Sequence, residues 1–216
     1  MPSITGLTPT MNNRILLATG NPAKQETLRW LVEGLPLTAV TPRQLGLDSV
    51  PDESGATHQE IARQKAEEWS RASSMLVIAS DGGLVIPALG ANWESRFTHR
   101  FAGPAADDHE RLRRLLEIMQ PYSGSDRAAS WIEAVAIAEQ GKVLASWELT
   151  GGTGIIATES PDQPGEPGFW VFSIWYFPQF GKTYNQLSGA EKDSLDDHWI
   201  RLKDLVQGFF KNHATG

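Results

Sequence analysis

The chain has no cysteine, which excludes disulfide staples, thiolate nucleophiles and cysteine-ligated zinc. A reducing, cytoplasmic compartment is the expectation that fits. No apolar run approaches the roughly 20 residues of a membrane span. The richest stretch, 169–177, is broken by Ser173 and followed by Pro178. Positive charge is scarce too: 19 Lys and Arg stand against 26 Asp and Glu, a formal net charge of −7. Binding long nucleic acid takes many phosphate-neutralising cations, so the balance argues against it. A small phosphorylated ligand stays open, because a few local cations and a divalent metal suffice for it. Residues 1–13 lack the apolar core of a signal peptide and read as a flexible leader, with Met11 as an alternative start.

What is present is globular material. The chain has 216 residues, 40% hydrophobic and 21% charged, enough to bury one sizeable core. Residues 14–18 predict a buried strand. Thr19-Gly20-Asn21 follows as a turn, with Asn21 capping a helix and Pro22 in its first position. That helix is expected to reach about residue 33, before a second strand over 37–40 and a loop over 42–56. Thr57-His58-Gln59-Glu60 has the capping-box form, and Ile61, Ala62, Lys65, Ala66 and Trp69 make one helical stripe. Residues 75–79 predict a strand ending at Ser80-Asp81-Gly82-Gly83, with extended structure resuming over 84–86. An amphipathic helix is expected over 107–119. A hairpin turning at 139–142 follows, then a Pro-rich loop over 157–167. Residues 169–177 predict an aromatic strand, Ser188 to Glu191 a second capping box, and 196–210 the last helix. Strands and helices in this mixed order give an α/β or α+β chain.

Four places carry candidate chemistry. Thr19, Gly20, Asn21 and Lys24 surround a strand-to-helix junction, where open backbone N–H groups and the helix dipole attract phosphate. Alone, the segment also reads as an ordinary turn with a surface lysine, and it lacks the Walker spacing. Glu53 lies in a loop just before a capped helix, a place for a hard cation such as Mg²⁺. Lys65 sits inside an apolar stripe, where it either serves a site or snorkels its ammonium outward. Asp81 and Gly82 follow a strand, where α/β sheets bind ligands; an Asp-Gly hairpin turn is the other reading. The aromatic block 169–176 either stacks on a base or fills a core. The five histidines show no zinc-ligand spacing, and most read as surface residues.

The order of these pieces resembles the inosine-triphosphate pyrophosphatase family. T-G-N-x-x-K after the first strand, E-S-G-x-T with Lys65-Ala66 beyond it, and S-D-G-G-L after a later strand carry the resemblance. Arg100-Phe101-Ala102-Gly103, Asp126-Arg127-Ala128-Ala129, Gly154-Ile155-Ile156, Gly168-Phe169 and Glu191-Lys192 extend it over nearly the whole chain. The resemblance implies a long mixed β-sheet with helices forming two lobes around an active-site cleft, one such domain over 14–216. It implies an Mg²⁺-dependent hydrolase that converts aberrant purine nucleoside triphosphates of the ITP, XTP or dITP type to monophosphate and pyrophosphate. A homodimer is implied as well. By position, Thr19, Gly20, Asn21, Lys24 and Lys65 would hold phosphate. Glu53 and Asp81 would ligate the metal, with Asp81 also the base for the attacking water and Gly82 beside it. Phe169 would stack on the base, and Lys192 and His198 would touch the nucleotide.

The sequence also departs from the family pattern. Ser80 and Gly82 stand in the D-D-S-G motif, and Ile61 replaces the asparagine of E-N-A. Trp170 and Phe172 stand in F-G-Y-D. Asp196-Asp197-His198 stands in place of S-H-R without a gap, or a one-residue shift keeps the His at His198 and puts Trp199 at the arginine; either way no arginine stands there. The phosphate half of the site is kept and the purine-reading half is changed. Two functions follow as expectations: a pyrophosphatase with altered base preference, or a nucleotide-binding or dimeric scaffold that has lost catalysis.

Overall fold

A computed structural model describes residues 13–47, 54–159, 169–195 and 197–213. The leader read over 1–13 therefore lies almost wholly outside the described residues. Strand β1 (Arg14–Leu17) leads into helix α1 (Pro22–Leu31), whose cap is Asn21. Strand β2 (Thr38–Val40) follows, then α2 (His58–Ser73) and β3 (Leu76–Val85). Helix α3 (Asp108–Met119) precedes the long hairpin β4 (Ala128–Glu139) and β5 (Lys142–Ile156). Short strands β6 (Trp175–Phe177) and β7 (Lys182–Thr183) and helices α4 (Gly189–Ser194) and α5 (His198–His213) complete the order.

The strands form one mixed sheet, β2-β1-β3-β4-β5-β6-β7. β1 pairs in parallel with β2 and β3; the other pairs are antiparallel. The β4–β5 turn places Gln140 and Gly141 at positive φ, 51° and 75°, the backbone of a two-residue hairpin. The period-2 alternation of strands sorts the core onto two faces. Leu16, Val77, Ala79, Ala134 and Ala136 pack under Ala62, Ala66 and Trp69 of α2. Ile15, Leu17, Ile78, Leu84, Val135 and Ile137 join the larger cluster with α1, α3, α5 and the aromatic block.

Two local expectations fail. Ser80-Asp81-Gly82-Gly83 is not a turn: β3 runs straight through it, pairing Asp81 with Ala134 and Gly82 with Glu133. Neither glycine has positive φ; ladder bonds to β4 override the turn propensity. Nor is 169–177 one strand. Trp170–Ser173 is a 3-10 turn and only Trp175–Phe177 is extended. Trp170, Val171, Phe172 and Ser173 are all buried. A helical turn sends four successive side chains into the core in different directions, which an alternating strand cannot do.

Candidate active site

β3 outruns β1. Their pairing ends at Leu17 and Ile78, and Ala18 N–H adds one more bond to Ile78 C=O. Beyond it, the edge of β3 facing β1 is served by a segment around residues 93–98. Thr98 Oγ1 accepts from Leu84 N–H at 2.9 Å, and Trp93 Nε1 donates to Leu84 C=O at 2.6 Å. Between that segment, the C-terminal end of β1 and the start of α1 lies a cavity of about 200 Å³. Thr19, Asn21, Lys24, Lys65, Asp81 and Gly82 line it, together with Arg96, His99 and Arg100. The structure thus brings together residues that lie far apart in sequence.

Asp81 faces α2 and is nearly buried, 9% exposed. Lys65 Nζ donates to its Oδ1 at 3.0 Å, and His58 Nδ1 lies 2.6 Å from its Oδ2. Burial opposes ionisation, but the His58 hydrogen bond and the charges of Lys24 and Lys65 outweigh it. They hold the Asp81 carboxyl at about 2, ionised at any physiological pH. His58 is a correction to the sequence reading: it is buried, and Nε2 also meets Ser95 Oγ at 2.9 Å. Lys65 does not snorkel away; it reaches into the cavity. Asn21 caps α1, its Oδ1 accepting from the N–H groups of Ala23 and Lys24 at 2.9 and 3.4 Å. Those amides are occupied, so the lysine side chains, rather than the helix terminus, are the anion donors on this side. Arg96 and Arg100 add further positive charge that sequence reasoning did not assign. The signals for it were the run Arg96-Phe97-Thr98-His99-Arg100 and, for Arg100, its place at the head of the segment Arg100-Phe101-Ala102-Gly103.

On the opposite face of β3, Gly82 lies across from Glu133. Glu133 is fully buried, and its Oε2 accepts from Trp131 Nε1 at 2.8 Å. A Cβ on Gly82 would sit 1.9 Å from that same oxygen, so the carboxyl fills the space a side chain would take. Oε1 has no hydrogen-bond partner. Burial pushes the Glu133 carboxyl above its ordinary value of 4.5, despite the Lys24 charge and the Trp131 bond. The unfolded chain therefore loses this proton at lower pH than the fold does, and stability falls as pH rises above about 4.5. Glu133→Gln, which does not titrate, is expected to outlast the parent in urea by a margin that grows from pH 5 to pH 8. An equal margin at both pH values contradicts a Glu133 carboxyl raised by burial.

Phe169 lines the first cavity and a second one of about 460 Å³, which Phe172, Tyr184, Lys192, Asp197 and Trp199 also line. Phe172 stacks on Phe169 at 5.0 Å and 6°. Lys192 Nζ lies 4.4 Å from the centre of the Tyr184 ring. Asp197 accepts from Tyr184 Oη at 2.6 Å and from Trp199 N–H at 2.9 Å. Trp170 fills space at the rim of the first cavity and stacks on Phe101 at 5.8 Å. His198 is not placed at either cavity. It is fully buried against Tyr184 and Trp199, and burial lowers it to about 4. It belongs to the core there, with neither ring nitrogen hydrogen-bonded.

Glu53 lies outside the described residues. Among the described residues no three His, Cys, Asp or Glu side chains converge as a metal site. Asp81 remains fit for a magnesium ion all the same. Such ions take one or two carboxylates and draw their other ligands from substrate phosphates and water, and each Asp81 oxygen keeps a second lone pair.

A sequence profile of the Ham1 family matches residues 15–207. The chain belongs to the Ham1 family. A Halorhodospira halophila protein named dITP/XTP pyrophosphatase is 30% identical over 199 residues, covering 90% of this chain and 96% of that protein. A Thermus thermophilus protein of the same name is 31% identical over 196 residues, 91% of each. The HAM1 protein of Coxiella burnetii superposes with a TM-score of 0.73 at 28% identity, over 90% of this chain and 98% of that one. The Staphylococcus aureus Ham1 protein gives 0.72 at 26%, over 93% and 99%. Within this Ham1 fold, the Asp126-Arg127 motif has a structural task. Arg127 is buried and donates to the carbonyls of Met119, Tyr122, Ile156 and Ala157, tying α3 to the start of β4 and the end of β5.

Proposed function

We propose that this Ham1 chain is a nucleoside-triphosphate pyrophosphatase acting on non-canonical purine triphosphates, with a base preference of its own. It is a hydrolase of phosphate anhydride bonds. One observation carries the reading: an ionised carboxylate, Asp81, stands in a cavity ringed by Lys24, Lys65, Arg96 and Arg100. An acidic protein that gathers cations at one cleft focuses its field on an anionic ligand. Lys24 and Lys65 bind the phosphates, Phe169 marks the way to the base, and Asp81 accepts the proton of the attacking water. The water oxygen bonds to phosphorus as the α–β bridging bond breaks, and pyrophosphate leaves. Magnesium, held by Asp81 with Glu53, would neutralise phosphate charge and order the water. Action as a cytoplasmic homodimer belongs to the same proposal.

The second cavity supports the altered preference. Among the described residues that line it, Lys192 is the cation available for a purine keto oxygen, and Asp197 presents a carboxylate where the family motif has no acid. Pyrophosphate release should be measured with Mg²⁺ across ITP, XTP, dITP and the common triphosphates. Release from ITP and XTP alone means that purine discrimination persists; release from another base means a remodelled pocket. No release from folded protein favours the binding-only alternative.

A further inference from the structure

We infer that His58 is a positioning residue of this site, tied to Ser95 on one side and to the Asp81 carboxylate on the other. This rests on the pyrophosphatase reading above. His58 is 3% exposed and opens helix α2. Its Nδ1 is 2.6 Å from Asp81 Oδ2 and its Nε2 is 2.9 Å from Ser95 Oγ. Lys65 alone, on Oδ1, leaves the carboxylate free to pivot about its Cβ–Cγ bond. A second partner on Oδ2 removes that freedom and aims the remaining lone pairs into the cavity. A carboxylate only accepts, so Nδ1 carries the hydrogen between them. Nε2 meets the Ser95 hydroxyl on the other side of the ring, so both ring nitrogens are held.

The same chain of bonds joins three segments of the cavity wall: the start of α2, strand β3 and the turn Ser95–Phe97. Arg96 reinforces the joint, its Nη1 donating to Gly55 C=O at 2.7 Å. His58 therefore aligns the base with the cationic wall opposite it. A group that orients a base acts on turnover more than on ground-state binding.

The test uses the full chain and its pyrophosphate release, with melting temperature measured on each variant. His58→Phe fills the same space without a hydrogen bond. It is expected to lower kcat about 10- to 100-fold with KM little changed, and to lower the melting temperature modestly, because the buried Asp81 carboxylate loses one partner. His58→Asn, whose Nδ2 stands near the imidazole Nδ1, should recover most of that loss. Ser95→Ala should cost less, and nothing further in the His58→Phe background, because the coupled residues act as one unit. A His58→Phe protein with the kcat of the parent overturns the inference. So does a loss that follows melting temperature and that His58→Asn fails to restore. If His58→Phe does not fold, His58→Asn and Ser95→Ala decide: near-parental kcat in the first and a partial loss in the second support the inference, and any other pair refutes it. A parent enzyme silent on every triphosphate removes the pyrophosphatase reading and this inference with it, whereas an active parent with a fully active His58→Phe removes only the inference.

Discussion

Asp81→Asn is expected to cut turnover about 100- to 10,000-fold, the range for loss of a positioned general base. The amide matches the carboxylate in shape, so the cavity keeps its outline. It cannot take a proton from water at neutral pH, and it removes the negative charge that Lys24, Lys65 and His58 face. Binding of a triphosphate measured without Mg²⁺ should survive or tighten, because that anion no longer meets a carboxylate among the lysines. Stability changes in a defined direction. The folded carboxyl lies below its unfolded value of 3.8, at about 2. Its stabilising contribution is present above about pH 4 and disappears as pH falls through 2, on the order of 2 kcal/mol in full. Asn lacks it, so the two proteins should differ in urea at pH 7 and converge near pH 2. Steady-state kinetics with the melting curve decide the matter; parental kcat in a folded Asp81→Asn refutes the assignment of the base.

Gly83→Ala is expected to have the largest effect on the fold among single-methyl changes near the site. A Cβ there would sit 1.9 Å from the Ser95 carbonyl oxygen and 2.7 Å from its carbon. Both belong to backbone, so no rotamer relieves the clash. Residues 95–98 would have to lift away from β3. The Thr98 hydroxyl, which accepts from Leu84 N–H and donates to Ser95 C=O, would lose its place. The His58–Ser95 contact and the seat of Arg96 go with it. Overpacking of this kind costs about 1–3 kcal/mol or more, and kcat/KM should fall with it. Urea denaturation and pyrophosphate release measure the two losses. A stable, fully active Gly83→Ala would mean that the segment does not lie against β3.

Where structure follows from neighbours in sequence, the chain declared it. The Asn21 cap, the Thr57 hydroxyl accepting from Glu60 N–H and the hairpin at Gln140-Gly141 are local devices, and each forms. The capping box at Ser188 and Glu191 closes both ways; at Thr57 the Glu60 carboxylate instead takes Ala56 N–H. Lys24, Lys65 and Asp81 were readable because their motifs lie in a known order. His58, Glu133 and Arg96 were not, because their partners come from distant segments. His58 meets Ser95 across 37 positions, and Glu133 reaches Gly82 only through the β3–β4 register. Asp-Gly-Gly looked like a turn until an adjacent strand was there to hold it straight. His198 matched a ligand position by motif, yet the fold turned it into the core.

The fit of Gly82 to Glu133 has an evolutionary consequence. The Glu133 carboxyl occupies the room a side chain at 82 would need, so position 82 cannot gain one alone. A side chain gained at 82 must follow or accompany a shortening at 133, and the path between the two arrangements passes through a smaller residue at both. Across descendants of this chain, a side chain at 82 and a long one at 133 should exclude one another. The pocket wall on this side would then change in paired steps.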